Sequence, residues 1–300
     1  MGGTYSQPFY VSSNGVASGQ ASLADGTWHA ILWQGPFKND LGTLGGPDST
    51  VYFGGPNASG QVAGLAETST PDPNGEDFCG FAAQGVPSSG TCLGFLWQYG
   101  SMTPLSTLGG YNSAANAINN GGEVAGLSGD CSTFNVTSGY YLSPVHALLW
   151  DHGSVTNLGS LGGAFGNQAH GMNNRGEVVG GSDLAGDAVF HGFVWSQSTG
   201  MQDVIPLPGD TYSYALAIND AGQVTGLSID ASFTILRAFI VVDGVPTDLN
   251  TLISADSPLQ LQTACAVNSR GEITGLAVEK STGQYRDYLA IPVGRRESRE

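Results

Sequence analysis

The chain is short of charge, and shortest of positive charge. Only 11% of its 300 residues are charged, with 9 basic residues against 25 acidic ones, a formal charge of −16 and a pI near 4.3. Soluble domains usually carry about 25% charged residues. Long surface helices, which are built from Glu, Lys and Arg, are therefore disfavoured. An acidic surface also repels phosphate backbones and anionic bilayers, which argues against nucleic acid and membrane insertion and leaves a cation, a glycan, a small polar molecule or a protein as the partner. No apolar run approaches the roughly 18 residues of a spanning helix, and no charged-then-apolar leader precedes Gly2. A Gly-x-Ser-x-Gly elbow, a P-loop and a dinucleotide fingerprint are all missing. "GGPDS", "GGYNS" and "PGDTYS" are glycine-rich but lack the strand-to-helix setting of a phosphate cradle.

Cysteine is scarce as well, at four residues. Cys79 and Cys92 flank a Gly/Pro/Ser-rich stretch and could close it as a disulfide, which would suit an exported protein, or remain thiols. Cys131 and Cys265 offer no spacing argument for pairing.

Glycine and repetition are what the chain has in quantity. Its 46 glycines and 40% hydrophobic content favour short strands joined by tight turns around a real core. An aromatic-ended segment recurs as "HAILW" (His29), "LGFLW" (Leu93), "HALLW" (His146), "HGFVW" (His191), "RAFIV" (Arg237) and "DYLAI" (Asp287). A second recurs as "LGTLGG" (Leu41), "LSTLGG" (Leu105) and "LGSLGG" (Leu158), more loosely as "VIPLPG" (Val204) and "LNTLIS" (Leu249). A third reads "AINNGGEVAG" (Ala117), "GMNNRGEVVG" (Gly171), "AINDAGQVTG" (Ala217) and "AVNSRGEITG" (Ala266), with weaker copies at Pro56 and Ser12. The turn glycines Gly15, Gly60, Gly122, Gly176, Gly222 and Gly271 stand 45, 62, 54, 46 and 49 residues apart.

Each unit holds four strand-like runs: an alternating "SAANAIN" type, then "EVAG", then the Trp-ended run, then "LGSL". Four antiparallel strands per unit of about 40 to 50 residues is the signature of a β-propeller blade. The expected fold is all-β, a six-bladed propeller with units near 1–46, 47–110, 111–163, 164–209, 210–255 and 256–293 and a charged, disordered tail at 294–300. The strands are labelled A to D in chain order, with A innermost.

These motifs resemble the HAF-type extracellular repeat family, named for the His-Ala-Phe of strand C. The resemblance spans essentially the whole chain, with Leu93, Arg237 and Asp287 departing from the histidine. It implies a secreted bacterial protein and says little about activity.

The first residues read as a strand A without the D strand expected before it, and the chain stops after a strand C. That reading expects a three-stranded last blade whose bare edge could support edge-to-edge self-association. It also expects a lost strand and signal peptide ahead of Met1, hence an extracellular or periplasmic location.

In a propeller the B-to-C and D-to-A loops share one face, and both insertions, 67–91 and 129–144, fall in B-to-C loops. Ligand sites favour such loops. Acidic residues follow the B strands at Glu67, Asp130, Asp183, Asp230 and Glu279, and with Asp48 they could hold Ca²⁺ or simply begin loops. Small polar residues at the starts of the A strands, Ser6, Asn112, Ser113, Asn167, His170, Asp210, Tyr212, Ser213 and Gln262, could ring a channel mouth and take a neutral ligand, or pack a narrow tunnel. His29, His146 and His191 lie one to a unit, which suits a repeated structural hydrogen bond better than zinc. The resulting function is non-catalytic binding of a glycan, cell-surface or protein ligand on the insertion-bearing face. The alternative is a calcium-dependent hydrolase or lyase at the central channel, as in lactonase-like and phosphotriesterase-like propellers.

Overall fold

The computed structural model describes residues 2–12, 14–86, 88, 90–130, 135–137, 140–142 and 144–293. Expectations for the tail at 294–300 and for Cys131 lie outside the described residues. Apart from two short 3-10 turns, the described secondary structure is all strand. Strands Gly2–Val11, Val16–Leu23, Trp28–Gln34 and Phe37–Asp40 form one antiparallel sheet, and Gly45–Thr50, Val62–Pro71, Gly90–Gln98 and Ser101–Pro104 form the next. The fifth unit builds a third such sheet from Tyr212–Ile218, Val224–Ile229, Leu236–Val242 and Val245–Asp248.

Six separate blades are not what the pairing displays. Four four-stranded sheets stand apart, because the strands of the third unit (Ser113–Ile118, Val124–Gly129, Val145–Asp151, Ser154–Asn157) and the fourth (Gly162–Met172, Val178–Leu184, Phe190–Ser196, Gly200–Val204) merge into one eight-stranded sheet. The junction is a single parallel pairing of Val145 with Gly166. The last sheet counts four strands, yet Leu259–Leu261 and Ala266–Val267 both lie against Ile273–Glu279, so with Tyr285–Ala290 the sheet is three positions wide.

Strand D also differs from its sequence reading. It ends at Asp40, Pro104, Asn157 and Asp248, before "LGTL" and its copies rather than through them, and at Val204, the first residue of the "VIPLPG" copy. Gly42 and Gly159 take φ of +79° and +82°, which breaks the extended chain, and the leucine ahead of each (Leu41, Leu158) drops into the core.

Two devices explain why each unit needs its motif. In "EVAG" the glycine lies where strand A passes closest. A Cβ on Gly126, Gly180, Gly226 or Gly275 would stand 1.9 to 2.0 Å from the carbonyl oxygen of Ala114, Gln168, Tyr214 or Thr263. Beside it strand A carries a bulge that leaves Phe9, Asn116, His170 or Leu216 as the extra residue.

In "IN-x-x-G" the asparagine links one unit to the next. Asn57 Nδ2 donates to the Asn119 carbonyl (2.9 Å), Asn119 to Asn173 (3.3 Å), Asn173 to Asn219 (3.1 Å) and Asn219 to Asn268 (2.9 Å). Each amide also bonds the Gln or Glu four residues on, as in Asn173 Nδ2 to Glu177 Oε2 (2.6 Å).

Apolar clusters fill the spaces between successive units. Phe95 with Ala30 and Val62 joins the first two, Trp150 with Ala63 the next pair, and Trp195 with Leu149 the third and fourth units. Phe239 with Val204 joins the fourth and fifth, and Leu261 with Ile240 the fifth and last. Trp150 and Trp195 are thus buried between units, and Trp150 Nε1 donates to the Ser106 carbonyl at 2.8 Å. No transmembrane-length apolar helix exists among the described residues.

Candidate ligand-binding face

The residues that begin strand A act as joints between units. Ser113 and Ser213, both fully buried, accept the backbone N–H of Gly94 and Gly192 in the preceding strand C at 3.0 and 2.9 Å. Ser49 does the same for Ala30 at 2.9 Å. One residue earlier, Asp48 and Asn112 accept the N–H of Trp28 (2.6 Å) and Cys92 (2.8 Å). Asn167 accepts from Ser182 Oγ at 2.6 Å. Ser6 pairs with Ala21 in the first sheet, and the Gln262 N–H bonds the Leu276 carbonyl where the last strand A is interrupted. The structure thus places Asp48, Ser49, Asn112, Ser113 and Ser213 in the packing between units, whereas Asn167 and Gln262 bond within their own unit and Ser6 is exposed.

Asp210 lies 2.8 Å from Arg237, which also reaches Asp248 at 3.4 Å. This arginine stands at a histidine position of the motif, and the histidines make the equivalent contact. His29 Nδ1 meets Asp40 at 2.8 Å, and His191 Nδ1 meets Asp203 at 2.9 Å. In the third unit strand D ends in Asn157, and His146 turns to Asp130 at 3.2 Å.

Of the acidic residues expected after strand B, Glu67, Asp183 and Glu279 lie within it, and apart from Asp48 with Glu67 the set does not gather. Among the described residues, no three His, Cys, Asp or Glu side chains are placed to hold a metal ion. The Ser232 hydroxyl, together with the loop amides of Ile235 at 2.6 Å and Thr234 at 2.8 Å, holds the Asp230 carboxyl far below the usual carboxylate range. Glu279 is lowered by its bonds from Thr282 and Arg286. Asp183 accepts the Gly166 N–H at 2.7 Å, but burial pushes it up. Asp48 and Glu67 do meet, both almost wholly buried, and burial raises Asp48.

Sequence reasoning missed a run of rings. Centroids step from Phe9 to Tyr52 (5.4 Å), Phe53 (6.1 Å), His170 (5.0 Å) and Tyr214 (5.0 Å). From Tyr214 the run continues to Phe190 (6.0 Å), Tyr212 (4.9 Å) and Phe233 (4.5 Å). Every step falls in the range of favourable aromatic contact. The Phe53–His170 contact joins the second unit to the fourth and skips the third. Of the expected channel residues, His170 and Tyr212 belong to this arc. Burial lowers the His170 pKa to about 4 and raises those of Tyr52 and Tyr214, so these groups stay neutral near pH 7. Phe53 and Phe233 remain exposed, at 56% and 55%.

The first insertion reaches this arc. Cys79 and Cys92 are joined as a disulfide, whereas Cys265 is a free, exposed thiol. Gln84, on the 3-10 turn Ala82–Gln84 of the insertion, donates to the Tyr52 hydroxyl and accepts from Gln20 Nε2 at 2.9 Å. An open cleft of about 360 Å³ lies beside the insertion, lined by Gly45, Gly46, Pro47, Thr68, Ser69, Pro71 and Gly90. Of the second insertion, the described part is a hairpin pairing Asn135–Thr137 with Tyr140–Leu142.

No protein-family model matches the sequence. No curated protein matches it either. Solved structures do. One, from a study of two prolyl endopeptidases, aligns over 95% of this chain and 41% of its own with a TM-score of 0.57 and 13% identity. Pyrococcus horikoshii acylaminoacyl peptidase aligns over 95% and 43%, with a TM-score of 0.52 and 10% identity. The β-propeller domain of the Trilobed protease from Pyrococcus furiosus aligns over 95% and 94%, with a TM-score of 0.42 and 7% identity. The fold is propeller-like. The chain spans less than half the length of the two peptidases, and at these identities the likeness concerns the fold alone.

Proposed function

We propose that the chain is a secreted, non-catalytic propeller of the HAF-repeat type that binds a neutral glycan on the face carrying the 67–91 insertion. The observation that carries this reading is the aromatic arc, which runs from exposed Phe233 in a B-to-C loop to exposed Phe53, with Gln84 and Gln20 beside it. Rings offer an apolar face to the C–H side of a sugar, and neighbouring amides offer donors and acceptors to its hydroxyls. In this reading the eight-stranded sheet is two blades that touch, which makes six blades with a three-position last one. The Cys79–Cys92 disulfide supports an extracellular or periplasmic location, because such bonds persist in oxidising compartments.

The alternative, a calcium-dependent hydrolase at the central channel, requires several oxygen or nitrogen ligands converging on the axis. If the A strands are innermost, as this reading has them, the Phe53 and His170 rings, which meet between the second and fourth units, take up that position and argue against it. The test is titration of purified protein with soluble neutral polysaccharides, comparing the parent with Phe53→Ala and Phe233→Ala. Binding that both substitutions weaken supports the reading, and hydrolysis of the polysaccharide in the same tubes contradicts it.

A further inference from the structure

We propose that the first insertion carries a Ca²⁺ site between Asp72 and Glu76, whose role is to fix that loop against the propeller. Both side chains are buried, at 9% and 5% exposure, and both point at one nitrogen. Asn112 Nδ2 donates to Asp72 Oδ2 and to Glu76 Oε2, each at 2.7 Å. The orientation of that amide is fixed, because its Oδ1 accepts the Cys92 N–H at 2.8 Å. One amide thus holds two carboxylates together and satisfies one oxygen of each. Asp72 Oδ1 takes the Asn74 N–H at 2.8 Å, but Glu76 Oε1 is buried without any partner.

Such an arrangement is costly without a cation. Buried carboxylates need an opposite charge or a metal, and the sequence has no Lys or Arg between Lys38 and Arg175. Asp48 and Glu67 add two more buried carboxyl groups in the same unit. The donors are all oxygen, which selects a hard ion, and Ca²⁺ completes its shell with backbone carbonyls and water, so two carboxylates suffice. The disulfide from Cys79 to Cys92 pins the insertion three residues beyond Glu76. This site is independent of whether the aromatic arc binds a glycan.

The test is calorimetric titration with CaCl₂ of the whole protein, disulfide intact, after dialysis against EGTA. One Ca²⁺ per chain is expected, with a dissociation constant between about 10⁻⁶ and 10⁻³ M, and saturation should raise Tm by several degrees. Glu76→Gln should weaken binding by about tenfold or more, yet melt no lower than the parent in EGTA, because it removes an uncompensated buried charge and keeps the shape. Asp72→Asn serves the same comparison should Glu76→Gln fail to fold. Asp230→Asn, on the same face, should titrate like the parent. Absence of heat and of any Tm change in the parent up to about 10 mM CaCl₂ would overturn the proposal, as would Glu76→Gln binding with the parent's affinity.

Discussion

Asn173 donates its side-chain amide to the backbone carbonyl of Asn219, 3.1 Å away in the next unit, and accepts the N–H groups of Arg175 and Glu177 on its other side. The residue closes its own turn and fastens the neighbouring turn at once. The chain of such bonds runs from Asn57 to Asn268. The first unit has Ser12 and Val16 at the corresponding positions, and there Ser12 bonds within its own turn.

Asn173→Ala should therefore destabilise by about 2 to 3 kcal/mol, since it leaves buried partners unsatisfied. Asn268→Ala, at the exposed end of the series, should cost about 1 kcal/mol or less. Urea denaturation of the two variants distinguishes these values, and equal costs would show that the link between units contributes nothing.

Gly180→Ala should cost more than about 3 kcal/mol, because the new Cβ would stand 1.9 Å from the Gln168 carbonyl and force the sheet apart. Gly153→Ala, with φ of +89° and open space around it, should lose only about 1 kcal/mol. The pair is read by Tm at equal protein concentration.

His170 gives the fold an acid sensitivity of definite sign. Its folded pKa, about 4, lies below the ordinary value of 6.5, so the unfolded chain binds the proton more readily. Its contribution is whole above about pH 6.5 and is lost as pH falls toward 4, for a total of about 3 kcal/mol. His170→Phe should flatten stability between pH 7 and pH 4 relative to the parent. An unchanged slope in urea titrations across that range would contradict the assignment.

The His191–Asp203 contact should yield a coupling of about 0.5 to 1 kcal/mol in a double-mutant cycle with alanine, as expected of a partly exposed pair. The second unit already dispenses with it, carrying Leu93 and ending strand D at Pro104. Larger coupling would point to a duty beyond packing.

Much of the architecture was legible because it repeats. The asparagine turns, the glycine of strand B and the aromatic-ended strand C recur often enough to set the period. Strand D was misplaced because its leucines are as apolar as a strand, and only the left-handed Gly42 and Gly159 reveal a link instead. Of the candidate site residues, Ser113 and Ser213 share a position for a packing reason that sequence spacing cannot separate from a ligand reason. The aromatic arc escaped notice because a bulge in strand A turns Phe9 and His170 out of the alternating pattern. Asp72 and Glu76 occur once, inside an insertion, and no repeat draws attention to them.

We propose the aromatic arc as the binding surface for a neutral glycan. Calorimetric titration of the parent and of Phe53→Ala and Phe233→Ala with a panel of soluble neutral polysaccharides tests it most directly. At least one polysaccharide should bind the parent reversibly and without cleavage, and each substitution should weaken that binding by about tenfold, the loss of one stacking contact of about 1 to 1.5 kcal/mol. Failure of the whole panel to bind the folded parent, or binding that neither substitution alters, would contradict the account.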